Sequence, residues 1–188
     1  MRDRSHCRAA AIATLGAAAL LLALPARAED ALSTVDRVDL ARYAGTWYEQ
    51  GRLPGRAQDE CARDVTITFT PHGARALDIV TRCRRANGAE AVDDGLARVQ
   101  DPPTNAKLEI RFLPLAVAWL PFAWSDYWIL DLAPDYAYAL VGSPSRRTLW
   151  ILSRTPALDA RTFARLVAKA QALGFDTAKL IRTPRSGA

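Results

Sequence analysis

Turn signals recur at short intervals between Gly45 and Arg154, and that punctuation restricts the fold more than any other feature of the chain. Pro71-His72-Gly73, Asn87-Gly88, Asp101-Pro102-Pro103-Thr104-Asn105, Ala133-Pro134-Asp135 and Ser143-Pro144-Ser145 divide it into short segments rich in β-forming residues. Val65, Ile67 and Phe69 alternate with Thr66, Thr68 and Thr70, and Leu108, Ile110 and Phe112 alternate with Lys107, Glu109 and Arg111. That period of two belongs to strands with one face turned inward. With a first strand after Gly45-Thr46-Trp47, a return strand over 75–84, a weaker one over 95–100 and three more over 126–132, 136–142 and 148–154, the reading is eight strands joined as an antiparallel meander. The pattern breaks once. Asp159 caps a helix predicted over 160–173, with Gly174 just past its end, and Phe163, Leu166, Val167, Ala170 and Leu173 form one apolar stripe. A short segment at 179–181 adds a further strand. Such a set folds either as a closed barrel with the helix outside or as an open sandwich. Closure removes the sheet edges, and an eight-stranded barrel is wide enough for one small ligand.

The 188 residues suffice for one domain with a core. Residues 1–28 read as a secretory leader: Arg2, Arg4 and Arg8, an apolar run from Ala9 to Leu24, then Pro25-Ala26-Arg27-Ala28 before acidic Glu29-Asp30. The alternative, an N-terminal membrane anchor, suits the run less well, because it is short for a span and lacks basic flanks after it. Cys7 precedes the run and no Cys follows it directly, so no lipoprotein acylation site is read there. Removing residues 1–28 takes away four Arg and one Asp and lowers the formal charge from +5 to +2. Interspersed charge of that size gives no footprint for nucleic acid. The expected organisation is a leader (1–28), a lead-in (29–37), one domain (38–182) and a polar tail (183–188), exported to the periplasm or cell envelope as a soluble protein.

Export also bears on Cys61 and Cys83, the two cysteines left after the leader. An oxidising compartment permits a disulfide. If Thr70 faces Ala74 across the turn at 71–73, the same register sets Cys61 opposite Cys83, within bridging distance. The other reading is two unpaired buried thiols.

Three stretches carry a family resemblance. Gly45-Thr46-Trp47-Tyr48-Glu49 resembles the GxW block of the lipocalins, within the calycin superfamily. Ser125-Asp126-Tyr127 is similar to their second block, and Arg154 stands where the third block has its Arg. Tyr138-Ala139-Leu140-Val141-Gly142 and Leu149-Trp150-Ile151-Leu152-Ser153-Arg154-Thr155-Pro156 look like the bacterial outer-membrane lipoprotein (Blc) members. The resemblance spans nearly all of the chain beyond the leader. It implies an all-β fold, an eight-stranded antiparallel up-and-down barrel with one C-terminal helix packed outside. Gly45, Trp47, Asp126, Tyr127 and Arg154 become the structural motif. Trp47 would plug the closed end, and Arg154 would pack across its indole while holding carbonyls of the lead-in.

By alternation, Val65, Ile67, Phe69, Leu108, Ile110, Phe112, Trp128, Leu130, Tyr138, Leu140, Trp150 and Leu152 are candidates to line the cup, with Glu49 the acid placed inside it. Some of them would instead fill the base or pack under the helix, and a one-residue bulge would exchange faces. Ala137 and Ala139 are small enough for the helix to lie close outside. The uncharged connection at 113–124, with Trp119, Phe122 and Trp124, is open to three readings: a lid on the mouth, a membrane-surface contact, or a homodimer contact.

The resemblance implies non-catalytic binding, storage or transport of a fatty acid or lysophospholipid in the cell envelope. A barrel enzyme acting on a lipid is the rival. After the leader the only His is His72, in a hairpin turn, so no Ser-His or Cys-His pair is evident, and no cluster suggests a metal or cofactor. Glu49 would be its one candidate base. A third reading is an envelope stress or interaction protein acting through its surface.

Overall fold

The computed structural model describes residues 31–55 and 60–186. The leader read in residues 1–28 lies outside the described residues. Among them, β1 (Gly45–Arg52), β2 (Arg63–Pro71), β3 (Ala76–Arg84), β4 (Glu90–Val99), β5 (Lys107–Arg111), β6 (Ser125–Leu132), β7 (Tyr138–Gly142) and β8 (Leu149–Ser153) pair in chain order, all antiparallel. β1 closes the barrel by pairing with β8 on one side and β2 on the other. A one-turn helix, α1 (Leu40–Tyr43), precedes β1, and α2 (Ala160–Ala172) follows β8. The predicted last strand is the two-residue β9 (Ile181–Arg182), and the weak fourth strand begins well before residue 95, at Glu90.

β1 changes partner along its length. Gly45 to Tyr48 pair with Phe69 to Thr66 of β2, whereas Gly51 and Arg52 pair with β9. The register against β8 breaks between Glu49 and Gly51, so Glu49 lies beside Leu152 and Arg52 beside Trp150, both on the inner face. Such a bulge re-aims a side chain. Here Gln50 is turned to the segment after β8, where its amide donates to the carbonyls of Thr155 (3.3 Å) and Pro156 (3.2 Å) and accepts from the Leu158 N–H (3.1 Å). The segment read as a polar tail is tied in at the same place: the Asp64 N–H donates to the Pro184 carbonyl, and the Ser186 hydroxyl donates to Asp64.

Two apolar clusters lie on the two sides of the barrel wall. The inner one holds Trp47, Ile67, Phe69, Leu77, Ile79, Leu108, Ile110, Ile129, Val141 and Leu152, closed from one end by Val38 and Tyr43. The outer one joins Leu130, Leu140, Leu149 and Ile151 of the wall to Leu166 and Ala170 of α2, with Trp128, Tyr138 and Phe163 at its margin. This corrects the inward assignment of Trp128, Leu130, Tyr138 and Leu140. Helix α2 buries the outer face of β6 and β7, so both faces of these strands are apolar and alternation does not distinguish them. A register break between Ile129 and Asp131 disturbs the count further. Ala139 likewise points inward. The close approach outside falls at Gly142, where an added Cβ would stand 2.6 Å from the Phe175 ring.

α2 starts where Asp159 accepts a hydrogen bond from the Thr162 N–H (2.9 Å), and its turn at Gly174 returns the Phe175 N–H to the Ala170 carbonyl. Arg165 and Lys169 reach Asp131 on the barrel wall, at 3.3 and 3.0 Å.

The disulfide joins Cys61 to Cys83, with Cα atoms 5.5 Å apart, but the register behind that expectation is wrong. Thr70 faces Asp78, not Ala74, because the turn is longer and closes through the His72 N–H to the Ala76 carbonyl. That register extended straight would bring Val65 to Cys83, and Val65, Cys83, Ala91 and Cys61 do pack together. The ladder breaks between Arg63 and Thr66, where Asp64 has φ 56°, and Cys61 reaches Cys83 from beyond that break. Reduction of this bridge should lower the unfolding free energy by about 2 to 4 kcal/mol, read as a lower urea midpoint with and without reductant. An unchanged midpoint would show that the link does not restrict the unfolded chain.

Candidate functional site

The closed end of the barrel is built on Gly45-Thr46-Trp47. Gly45 has φ 97°, a left-handed conformation that costs glycine little, and a Cβ there would stand 3.2 Å from the Arg154 guanidinium. Trp47 is fully buried and donates its indole N–H to the Tyr43 carbonyl (2.8 Å). The Arg154 guanidinium carbon lies 3.9 Å from the indole centroid. Its N–H groups donate to the carbonyls of Thr46 (3.0 Å), Arg42 (2.8 Å), Tyr43 (3.0 Å) and Ala44 (2.8 Å). A cation over an indole face is favourable, and the carbonyls of Arg42, Tyr43 and Ala44 are acceptors at the C-terminal end of α1, whereas that of Thr46 belongs to β1. Partial burial lowers the Arg154 pKa, with Tyr43 and Tyr127 acting the other way.

Above this floor runs a column of rings. Tyr43 lies 4.9 Å from Trp47 and 5.4 Å from Phe69, Phe69 5.8 Å from Tyr127, and Tyr127 5.9 Å from Trp150. The Tyr43 and Tyr127 hydroxyls meet at 2.9 Å inside the barrel. Burial is the main force raising both phenol pKa values, Tyr127 well above the usual range, so the pair is neutral.

At the level of Trp150 the inner face turns polar. Glu49 is fully buried and accepts from Arg52 (2.9 Å) and from the Thr183 hydroxyl (2.6 Å), while Arg52 also donates to the Cys61 carbonyl (3.2 Å). The one acid expected inside is therefore there, and it is held in an ion pair.

Val65, Ile67, Phe69, Leu108, Ile110, Trp150 and Leu152 of the expected lining share the inner face, and Val65 lies by the disulfide. Phe112 is 38% exposed and covers Gly95, whose added Cβ would meet its ring at 2.8 Å. Asp126 lies opposite Glu109, and burial, then the Glu109 charge, raises its pKa. Alternation missed Leu77, Ile79, Ile129 and Val141, and it missed Tyr43 because that side chain enters from α1. Arg52 could have been found as the basic partner of Glu49, but only by anticipating the bulge.

A cleft of about 640 Å³ opens outside the closed end, between residues 37–41 and the turn after β2. Its polar groups already serve the fold: the Asp39 N–H donates to Tyr136, Asp39 caps α1, and the Asn105 amide donates to the Val38 carbonyl.

The 113–124 connection forms two 3₁₀ turns, Leu115–Val117 and Pro121–Ala123. Trp124 packs on the outer wall with Arg98 3.8 Å and Arg111 5.3 Å from its ring, and its N–H donates to the Ala118 carbonyl. Trp119 and Phe122 project from this base, 79% and 71% exposed, and are not packed as a lid.

Among the described residues no three His, Cys, Asp or Glu side chains converge on a potential metal position. His72 is exposed beside Asp78, and both described cysteines are in the disulfide.

Residues 38–185 match a family described as a lipocalin-like domain. Temperature-induced lipocalin-1 of Arabidopsis thaliana is 36% identical over 157 residues, covering 82% of this chain and 83% of the relative. Outer membrane lipoprotein Blc of Escherichia coli (strain K12) is 31% identical over 157 residues, covering 83% of this chain and 84% of the relative. Among solved structures, insecticyanin from the tobacco hornworm Manduca sexta matches with a TM-score of 0.62 at 18% identity, over 83% of this chain and 85% of that one. Lobster apocrustacyanin A1 matches with a TM-score of 0.60 at 17% identity, over 78% and 79%. At that identity the structures speak for the fold alone.

Proposed function

Since the chain belongs to the lipocalin-like domain family, we propose that it holds a small hydrophobic ligand, a fatty acid or lysophospholipid, inside the barrel without chemical turnover. The observation that carries this reading is an apolar and aromatic inner face closed at one end by Trp47 and Arg154. A long chain buried against it gains roughly 0.8 kcal/mol per methylene removed from water. Export to the cell envelope is part of the proposal, supported by the leader pattern in residues 1–28 and by a relative whose name is outer membrane lipoprotein. Displacement of a fluorescent fatty acid should be saturable at micromolar lipid, and an absence of saturable binding would sink the reading.

A second reading concerns the exposed pair on the 113–124 connection. Trp119 and Phe122 project from the connection whose Trp124 is held under Arg98 and Arg111, and an exposed pair of large apolar side chains suits a membrane surface. Changing both to Ser should weaken co-sedimentation with anionic vesicles several-fold and leave fatty-acid displacement unaltered. Loss of displacement instead would make the segment part of the ligand site, and a change only in sedimentation velocity would make it a homodimer contact.

A further inference from the structure

The Tyr43–Tyr127 pair contains two hydroxyl hydrogens and a single hydrogen bond between its oxygens, at 2.9 Å. Whichever phenol donates, the other O–H remains, and among the described residues nothing accepts it. Both rings are buried, so bulk water does not reach that hydrogen. The neighbouring donors are already committed, Trp47 to the Tyr43 carbonyl and Arg154 to the carbonyls around α1. The surrounding rings of Phe69 and Trp150 offer no strong acceptor. A water lodged there would have the two phenols as its polar partners, at the low end of what holds a buried water in place.

We propose that this pair is a hydrogen-bond donor subsite for an oxygen carried within the chain of the apolar ligand, such as a hydroxyl, ketone or epoxide. The inference rests on the ligand-binding reading above and adds a chemical class to it: oxygenated acyl chains over plain ones. A buried donor left unmade is costly, and an oxygen at the right depth removes that cost while displacing at most a loosely held water. A site built to hydrogen-bond a ligand oxygen discriminates against the analogue that lacks it. The subsite lies inside the barrel, between the Trp47 floor and Trp150, so the selected oxygen is away from the ligand's headgroup and its position along the chain is specified.

The test is competition against one fluorescent fatty acid by octadecanoic acid and a series of octadecanoic acids carrying one hydroxyl or ketone at successive positions. The expected result is about tenfold tighter binding, some 1.4 kcal/mol, for a narrow window of positions. In the Tyr43→Phe/Tyr127→Phe double variant the oxygenated chains should fall to the affinity that the plain chain has in the same variant, so the ratio between them is what is read; removing both polar partners together is close to neutral for stability. Thermal unfolding checks that the variant is folded, and if it is not, the position scan on the parent protein decides, because a fixed donor favours a narrow window of oxygen positions. Equal affinity for all chains, or a preference that survives in the double Phe variant, overturns the subsite while plain-chain binding by the parent stands. If no chain binds saturably, the ligand-binding reading fails and the subsite with it.

Discussion

Trp47→Ala should lower the unfolding free energy by about 3 to 5 kcal/mol, the range for deleting a large buried aromatic. The indole is fully buried, and its loss leaves Arg154 stacked on nothing and the Tyr43 carbonyl without the N–H that holds it at 2.8 Å. Tyr43, whose ring lies 4.9 Å from the indole, loses its lower support as well. Urea unfolding should show a much lower midpoint with little change in slope, because the surface exposed on unfolding stays nearly the same. Trp47→Phe keeps a ring under Arg154 and loses the N–H, so its cost should be clearly smaller. A Trp47→Ala protein as stable as its parent would remove the floor from the barrel, and the closed-end assignment would have to be given up.

That floor was legible through the family resemblance, which rests on a local motif at each end. Gly45-Thr46-Trp47 opens the first strand and Arg154 follows the eighth, and the structure brings the two into contact 3.9 Å apart. Strand number, the late helix and its Asp159 cap were legible for a similar reason: turn residues and periodicity act over a few positions. Facing was not. In β6 and β7 both sides are covered, one by the barrel core and one by α2, so Trp128, Leu130, Tyr138 and Leu140 satisfy the same alternation whichever way they point. Register was not legible either. One misjudged turn moved Thr70 from Asp78 to Ala74, and the correct disulfide followed only because the chain departs from the ladder next to Asp64. Long-range polar contacts left no local trace, and neither the Tyr43–Tyr127 hydroxyl pair nor the hydroxyl of Thr183 on Glu49 could be read from spacing.

The Glu49–Arg52 pair should give the other large effect. Arg52→Met takes away the guanidinium that donates to the fully buried Glu49 carboxylate at 2.9 Å, and removing one partner of a buried pair costs about 3 to 5 kcal/mol. The double variant Glu49→Leu/Arg52→Met should recover most of that loss, because apolar groups of similar volume need no compensating charge beside Leu152 and Trp150. Urea unfolding of the parent, both single variants and the double variant closes the cycle, and a coupling near zero would mean that the two charges are solvated in solution. The pair also fixes where the C-terminal segment enters, since Thr183 bonds Glu49 while Gly51 and Arg52 pair with β9. Amide exchange at Asp64, whose N–H is held by the Pro184 carbonyl, should therefore quicken in the double variant, which takes away the carboxylate that Thr183 bonds. Arg52→Met keeps that acceptor together with the buried carboxylate, so it should lose stability more than it quickens exchange at Asp64. Stability and exchange should thus separate in the double variant, which distinguishes a latch on the C-terminal segment from a general weakening of the barrel.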